Sequence, residues 1–149
     1  NMNVYMRSND AMLGHVIDVF SFTMIQELIA NELDCELGVY NHFAGSFHLY
    51  EKDIEKAKQI IYSDIDENIE MPKMDGGMAY AINTFKKFDD FFYAGIKPSD
   101  CVRRVIPGYW NDLFLTMKYQ LQLKRKEQIN INELKQVIYR KYFERKING

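Results

Sequence analysis

The sequence predicts an α+β fold that is followed by a helical extension. The runs at about 1–7 and 37–50 have the alternation, or the aromatic and β-branched content, of strands. Between them, at 11–33, apolar residues recur at helical spacing. Beyond residue 63 the sequence shows two or three more helical patterns and no further strand pattern. The strands therefore belong to the first part of the chain, and helices make up the rest.

The first two elements are a strand and a long helix. In the strand, Val4 and Met6 face one way, and Asn3 and Tyr5 face the other. The helix pattern contains no proline, and no glycine after Gly14. Because its residues are largely apolar, we expect this long helix to be buried.

A strand region and a second helix follow. Residues 37–50 are interrupted by glycines, which predicts one or two strands with a bend. Residues 51–62 return to helical spacing. Polar and loop-forming residues come next and indicate a boundary. We expect a first part at 1–62 and a helical extension at 63–149.

Helical spacing in the extension predicts helices at about 78–92, 109–124 and 133–146. Asn130 or Asn132 would cap the last of them. The polar faces of these helices are rich in Lys, Arg, Gln and Glu. This pattern indicates no particular chemistry, so the role of the extension stays open.

Composition excludes several classes of function. The 149 residues are 47% hydrophobic and 14% aromatic, which is enough to bury one core. A formal net charge of −2 offers no broad surface for nucleic acid or anionic lipid. Two cysteines make no disulfide framework, and neither a signal peptide nor a long apolar span is apparent. We expect a soluble cytoplasmic protein that binds neither nucleic acid nor membrane.

The run Arg7-Ser8-Asn9-Asp10 stands where the first strand meets the long helix. A guanidinium can donate two parallel hydrogen bonds to a phosphate, and a neighbouring hydroxyl can add a third. Adjacent side chains of a strand point to opposite faces, so both can meet one phosphate only where the strand ends and turns. Taken alone, the run is also explained as a strand end with Asn9 or Asp10 capping the helix.

A second motif runs from Gly45 to Tyr50. His48 and Tyr50 are two residues apart, so they share one face of a strand and can converge on one ligand group. A lone His-x-Tyr pair is weak evidence, because most such pairs are half-buried structural residues. His15 and His42 have no comparable support, and no cluster at metal-ligand spacing is apparent.

Together these motifs resemble the nucleotide-binding half of the thymidylate synthase family. The resemblance covers about residues 1–62. In that family an Arg and a Ser hold the nucleotide phosphate, and a His and a Tyr reach the ribose. The resemblance therefore implies substrate-binding roles for Arg7, Ser8, His48 and Tyr50.

The resemblance also implies a mixed sheet around the long helix and a homodimer that packs sheet against sheet. It implies a transferase that takes a one-carbon unit from 5,10-methylene-tetrahydrofolate and adds it to C5 of a pyrimidine nucleoside monophosphate. On the folate side it implies that Asp10 bonds the pterin, Leu13 packs on it and Gly14 lets it lie close to the backbone. Gly in a helix costs about 1 kcal/mol relative to Ala, and close helix packing is the alternative reason for Gly14.

Asp18 departs from the pattern, since the members of the family that recognise uracil carry Asn there. An Asn presents a donor and an acceptor, which match uracil O4 and N3–H. Ionised Asp only accepts, so it would leave O4 without a donor, at a cost of roughly 1 to 3 kcal/mol, and would favour the amino group of cytosine. The deoxycytidylate hydroxymethylase branch resembles this chain in that Asp and in Ser46. The alternative is a tolerated change in a protein that no longer turns over.

The family's nucleophile is a cysteine thiolate that adds to C6 of the pyrimidine and lies upstream of the Arg-Ser motif. Only six residues precede Arg7, and none is a cysteine. Cys35 lies in a predicted turn, and Cys101 lies outside the matched region. Neither has a nearby base, so we assign no catalytic residue and expect that this chain does not catalyse the reaction alone.

Two explanations fit the abrupt start of the chain. It is either part of a longer enzyme or a complete binding module that has kept the nucleotide cradle. We prefer the first, because half of a large sheet would expose unpaired edges and apolar faces. A competing hypothesis is a protein-interaction module with a vestigial site. The sugar, ribose or deoxyribose, and the product, methyl or hydroxymethyl, stay open.

Overall fold

A computed structural model describes residues 1–63, 70–93 and 108–148. The chain divides into two compact units, Asn1–Asn68 and Ile69–Gly149. The first combines strands with helices, and the described residues of the second form helices and one short 3-10 turn. The predicted α+β class is therefore confirmed.

The strands of the first unit form two parallel ladders. β1 (Met2–Met6) pairs with β3 (Tyr40–Ala44), with Val4 opposite His42. A shorter ladder joins β2 (Asn9–Asp10) to β4 (Phe47–His48). Parallel neighbours need a crossover connection. The long helix α1 (Gly14–Glu32) provides it for both ladders.

Helix α1 starts three residues later than the apolar pattern at 11–33 predicts. The carboxylate of Asp10 accepts hydrogen bonds from the backbone N–H groups of Met12 (3.1 Å) and Leu13 (3.2 Å), and this turn precedes the helix. The predicted side-chain cap on α1 by Asn9 or Asp10 is therefore not formed: the N-cap is Leu13, and the bonds of Asp10 lie before the helix.

The expected burial of α1 holds for only part of the helix. Gln26, Leu28 and Ala30 are buried, and Gln26 Nε2 donates to the carbonyl oxygen of Gly38 at 2.9 Å. The helix contacts β2 and β3. Six of its apolar side chains, or those next to its end, are nevertheless exposed: Val16, Ile17, Phe20, Ile25, Ile29 and Leu33.

The predicted bend between β3 and β4 is present at Gly45. Its N–H donates to the carbonyl oxygen of Met6 at 2.9 Å. A side chain at this position would start only 3.0 Å from the carbonyl oxygen of Arg7, so the close approach of the two segments favours glycine. After a 3-10 turn, the predicted second helix follows as α2 (Ile54–Ile61).

The second unit contains α3 (Met78–Phe92), α4 (Gly108–Lys124) and α5 (Val137–Asn148) among its described residues. The first two agree closely with the predicted helices. The last begins later than predicted, because Ile131–Glu133 forms a 3-10 turn in which the Asn130 side chain accepts from the N–H of Asn132. A core of six side chains holds the unit together: Phe88, Phe114, Leu115, Tyr119, Leu134 and Phe143.

A loop aspartate fixes the start of α4. The backbone oxygen of Asp75 accepts from the indole N–H of Trp110 at 2.7 Å, and its carboxylate accepts from the N–H of Tyr109 at 3.3 Å. Gly108 has a φ of +55°, and a side chain there would overlap the Asp75 carboxylate. Both the backbone conformation and the space therefore require glycine.

Buried polar groups connect α4 to the segment that precedes α5. The carboxylate of Asp112 accepts from the backbone N–H groups of Lys135 (3.0 Å) and Gln136 (2.7 Å). The hydroxyl of Tyr119 lies 2.9 Å from the Glu133 carboxylate, and burial together with that contact raises the pKa of Tyr119 well above its usual value.

None of the helices among the described residues is long and apolar enough to span a membrane.

Candidate functional site

The Arg-Ser motif lies at the strand end that phosphate binding would require. β1 ends at Met6, the backbone bends at Arg7, and β2 begins at Asn9. Arg7 and Ser8 are exposed. The Arg7 carbonyl accepts from the N–H of Ser46 at 3.2 Å, while its guanidinium has no hydrogen-bond partner among the described residues.

The second motif lies beside the first because β2 and β4 are paired. Their register sets Asp10 opposite His48. The Ser8 hydroxyl is 3.5 Å from His48 Nδ1, and the rings of His48 and Tyr50 meet edge to face with centroids 5.0 Å apart. The structure thus brings Ser8 together with His48 and Tyr50, which lie 40 or more positions later in the sequence.

Asp18 is held by a residue for which the sequence suggested only a capping role. Asn9 Nδ2 donates to Asp18 Oδ2 at 2.6 Å. The Asn9 side chain is buried, and its amide oxygen has no hydrogen-bond partner in the described part of the chain. Strand alternation was the available signal, since it points Asn9 away from Ser8 and Asp10.

Gly14 adjoins Asn9, Asp10 and Asp18. A methyl group on Gly14 would lie 3.7 Å from Asp10 Cβ, 3.9 Å from Asn9 Oδ1 and 4.0 Å from Asp18 Oδ2. These are ordinary contact distances, so tight helix packing does not explain this glycine. We call the space bounded by Asn9, Asp10 and Asp18 the Gly14 hollow.

The remaining folate-side candidates have distinct environments. The backbone N–H of Met12 is the main cause that lowers the pKa of Asp10, with smaller contributions from other N–H groups and from His48. Asp10 is therefore ionised at neutral pH. The Leu13 side chain is 58% exposed, so it is available to pack on a ligand.

Two histidines without a predicted role lie near Asp18. Tyr40 and His42 Nδ1 share a hydrogen bond of 2.7 Å, and His42 meets His15 edge to face at 4.9 Å. Burial, and then the charge of Asp18, raise the pKa of Tyr40. Among the described residues no three His, Cys, Asp or Glu side chains are grouped as metal ligands.

The cysteines do not join this site in the described structure. Cys35 is an exposed free thiol in the turn after α1. That turn is separated from Gly14 by the 19 residues of α1, which span about 28 Å at the helical rise. Cys101 lies outside the described residues.

Comparison with known proteins agrees with the motifs. The family model described as thymidylate synthase matches residues 1–105, a longer stretch than the 1–62 expected from the motifs. Thymidylate synthase of Listeria monocytogenes serotype 4a (strain HCC23) is 38% identical over 56 residues, which cover 38% of this chain and 18% of that protein. Thymidylate synthase 1 of Bacillus spizizenii (strain ATCC 23059 / NRRL B-14472 / W23) is 30% identical over 92 residues, or 60% of this chain and 33% of that protein.

A third relative extends over a similar part of the chain. Thymidylate synthase of Streptococcus suis (strain 05ZYH33) is 24% identical over 95 residues, which cover 62% of this chain and 34% of that protein. The chain thus spans between 18% and 34% of the length of these relatives. Because the family model matches 105 of the 149 residues, the chain belongs to the thymidylate synthase family.

Proposed function

We propose that this chain supplies nucleotide- and folate-binding residues to an enzyme that adds a one-carbon unit to C5 of a pyrimidine nucleoside monophosphate. The observation that carries the proposal is the convergence of the two sequence motifs on one region. Ser8 contacts His48, the next residue Asn9 contacts Asp18, and Gly14 adjoins both Asn9 and Asp18. A chain of this family has little other reason to bring these polar groups together.

Phosphate and ribose binding follow from the exposed members of the site. The Arg7 guanidinium is free to donate two parallel hydrogen bonds to phosphate oxygens, and the Ser8 hydroxyl can add another. His48 and Tyr50 present a ring nitrogen and a phenol on one side of the strand end, within reach of one ribose hydroxyl. These four side chains would fix the nucleotide before any chemistry.

Base recognition is assigned to Asp18. One of its oxygens accepts from Asn9, and the other has no hydrogen-bond partner among the described residues. A carboxylate oxygen accepts from the amino group of cytosine but repels the O4 carbonyl of uracil. The substrate is therefore dCMP or CMP rather than dUMP, and the product carries a methyl or hydroxymethyl group at C5.

The residues on the folate side fit a flat, hydrogen-bonding ring system. Gly14 leaves room for a methyl-sized group, Leu13 offers an exposed apolar surface, and ionised Asp10 can accept from ring N–H groups. The bound 5,10-methylene-tetrahydrofolate would supply the one-carbon unit. The reaction also needs a thiolate nucleophile, for which Cys35 is too distant.

A homodimer is supported by the outer face of the β1–β3 ladder. Tyr5 and Phe43 stack there with ring centroids 4.8 Å apart, and Tyr5 is 74% exposed. On the same face Asn41 donates to Asn3 at 2.8 Å. A flat aromatic surface on a sheet suits packing against a second sheet.

The proposed function is tested by calorimetric titration of the 149-residue chain with dCMP, CMP and dUMP. We expect a cytosine nucleotide to bind at least about tenfold more tightly than dUMP. In the dUMP complex, uracil O4 and an Asp18 oxygen would face each other as two acceptors with no hydrogen between them. A folded sample that binds none of the three would contradict the proposal and would favour an interaction module with a vestigial site.

Gly14→Ala separates stability from folate binding. The new methyl group meets only ordinary contacts, so the helix should gain about 0.4 to 1 kcal/mol of unfolding free energy. The same methyl group occupies the Gly14 hollow, and we expect methylene-tetrahydrofolate to bind at least about fivefold more weakly in the presence of dCMP. Urea unfolding and titration measure the two effects. Ser21→Ala, at an exposed position of α1, is the control and should leave folate binding unchanged.

A further inference from the structure

Asn9 is an unusual residue to find buried at the start of a two-residue strand. Its side chain is 3% exposed, yet its amide oxygen has no hydrogen-bond partner among the described residues. The backbone around it is fixed, because its N–H donates to the carbonyl oxygen of Ser46 at 2.8 Å and it pairs with Phe47 in the β2–β4 ladder. An apolar side chain would fill the same space without burying an unpaired oxygen.

The hydrogen bond to Asp18 accounts for the amide. A carboxylate only accepts, so the atom of Asn9 that lies 2.6 Å from Asp18 Oδ2 must be the nitrogen. This contact leaves one orientation for the Asn9 amide and occupies one of the two Asp18 oxygens. The second Asp18 oxygen is then turned away from Asn9.

No other described side chain performs this task. The hydroxyl of Tyr40, whose pKa is raised in part by the charge of Asp18, is engaged with His42 at 2.7 Å. Gly14 has no side chain to offer. Among the described residues, Asn9 alone donates a side-chain hydrogen bond to Asp18.

We propose that Asn9 is a positioning residue that sets base specificity, because it determines which atom of residue 18 faces the base. This inference rests on the proposed function, in which residue 18 recognises the pyrimidine. With Asp at position 18, the Asn9 donor holds one oxygen and presents the other as an acceptor. The two residues thus recognise cytosine as a pair, and residue 18 alone does not decide the preference.

The pair makes a prediction that a purely structural role for Asn9 does not. Removing the donor with Asn9→Leu should lower the ratio of dCMP to dUMP affinity at least about tenfold, because Asp18 is no longer held. Calorimetric titration of the 149-residue chain with each nucleotide measures the ratio. A loss of packing alone would weaken both nucleotides equally.

The decisive test is the exchanged variant, which carries both Asn9→Asp and Asp18→Asn. In Asp18→Asn alone, Asn9 donates to the new amide oxygen and the new NH₂ group faces the base, which favours dUMP. In the exchanged variant the carboxylate at position 9 accepts from that NH₂ group, so the amide oxygen faces the base. We therefore expect the exchanged variant to prefer dCMP over dUMP again, within about threefold of the wild-type ratio.

Gln120→Leu is the matched control. Gln120 also has a side-chain amide that donates to another side chain, the hydroxyl of Tyr142, at 2.6 Å. Its loss should leave the nucleotide ratio unchanged. Urea unfolding of every variant shows that the compared samples are folded.

The outcomes separate this inference from the proposed function. A wild-type chain that prefers dCMP, with an exchanged variant that prefers dUMP as strongly as Asp18→Asn alone, overturns the role of Asn9 and leaves the proposed function standing. A wild-type chain that binds no nucleotide overturns both.

Discussion

Asp18→Asn is expected to reverse the base preference of the nucleotide site from cytosine to uracil. The wild-type carboxylate accepts from the cytosine amino group, whereas the new amide, with its oxygen held by Asn9, donates to uracil O4. Each mismatch leaves one polar group unpaired, at about 1 to 3 kcal/mol, so the ratio of dCMP to dUMP affinity should change about 100-fold or more. Calorimetric titration with both nucleotides measures the change.

Asp34→Asn provides a control of the same chemistry. Asp34 lies in the exposed turn after α1 with a φ of +50°, a conformation that Asn adopts as readily as Asp. This variant should keep the wild-type ratio. If Asp18→Asn weakens dCMP and dUMP by the same factor, Asp18 supports the site without recognising the base, and the assignment of a cytosine nucleotide is wrong.

The helices were predictable where local signals decide their limits. The apolar spacing of α3 and the glycines before it predict residues 78–92, and the structure has Met78–Phe92. Helix α1 was displaced at its start because the Asp10 carboxylate takes the N–H groups of Met12 and Leu13. A side chain that binds backbone N–H groups near it in sequence thus shifts this helix start by less than one turn.

Burial was less predictable because it depends on neighbours. The apolar side chains of α1 suggested a buried helix, but Val16, Ile17 and Phe20 are exposed in the described structure. Periodicity indicates which residues favour burial; it does not show what covers them. The start of α5 also depends on a residue that is distant in sequence. The carboxylate of Asp112 in α4 accepts from the N–H groups of Lys135 and Gln136, which precede α5.

Some contacts of the candidate site were predictable from the sequence, and others were not. Motif spacing predicts Ser8, His48 and Tyr50 as neighbours, and the β2–β4 register brings them into contact. The bond between Asn9 and Asp18 was not predictable from spacing, because it requires the strand, the turn and the first turns of α1 to close on each other. Side-chain pairs that span a change of secondary structure carry no period in the sequence.

Asp112→Ala is expected to be the most destabilising substitution of a charged side chain among the described residues of the second unit. The carboxylate is 1% exposed and accepts from the backbone N–H groups of Lys135 and Gln136, so its removal leaves two donors without a partner and a void in α4. Two lost hydrogen bonds to a carboxylate correspond to about 3 kcal/mol of unfolding free energy. Urea unfolding followed by the fluorescence of Trp110, which lies less than two turns from Asp112 in α4, measures the loss.

A graded series connects this loss to the hydrogen bonds. Asp112→Asn keeps one acceptor oxygen and the shape of the side chain, so it should lose about half as much stability as Asp112→Ala. Asp90→Ala, on the exposed side of α3, should change the unfolding free energy by less than about 0.5 kcal/mol. Equal losses for the Asn and Ala variants would show that the negative charge at position 112, rather than the number of acceptors, holds the start of α5 in place.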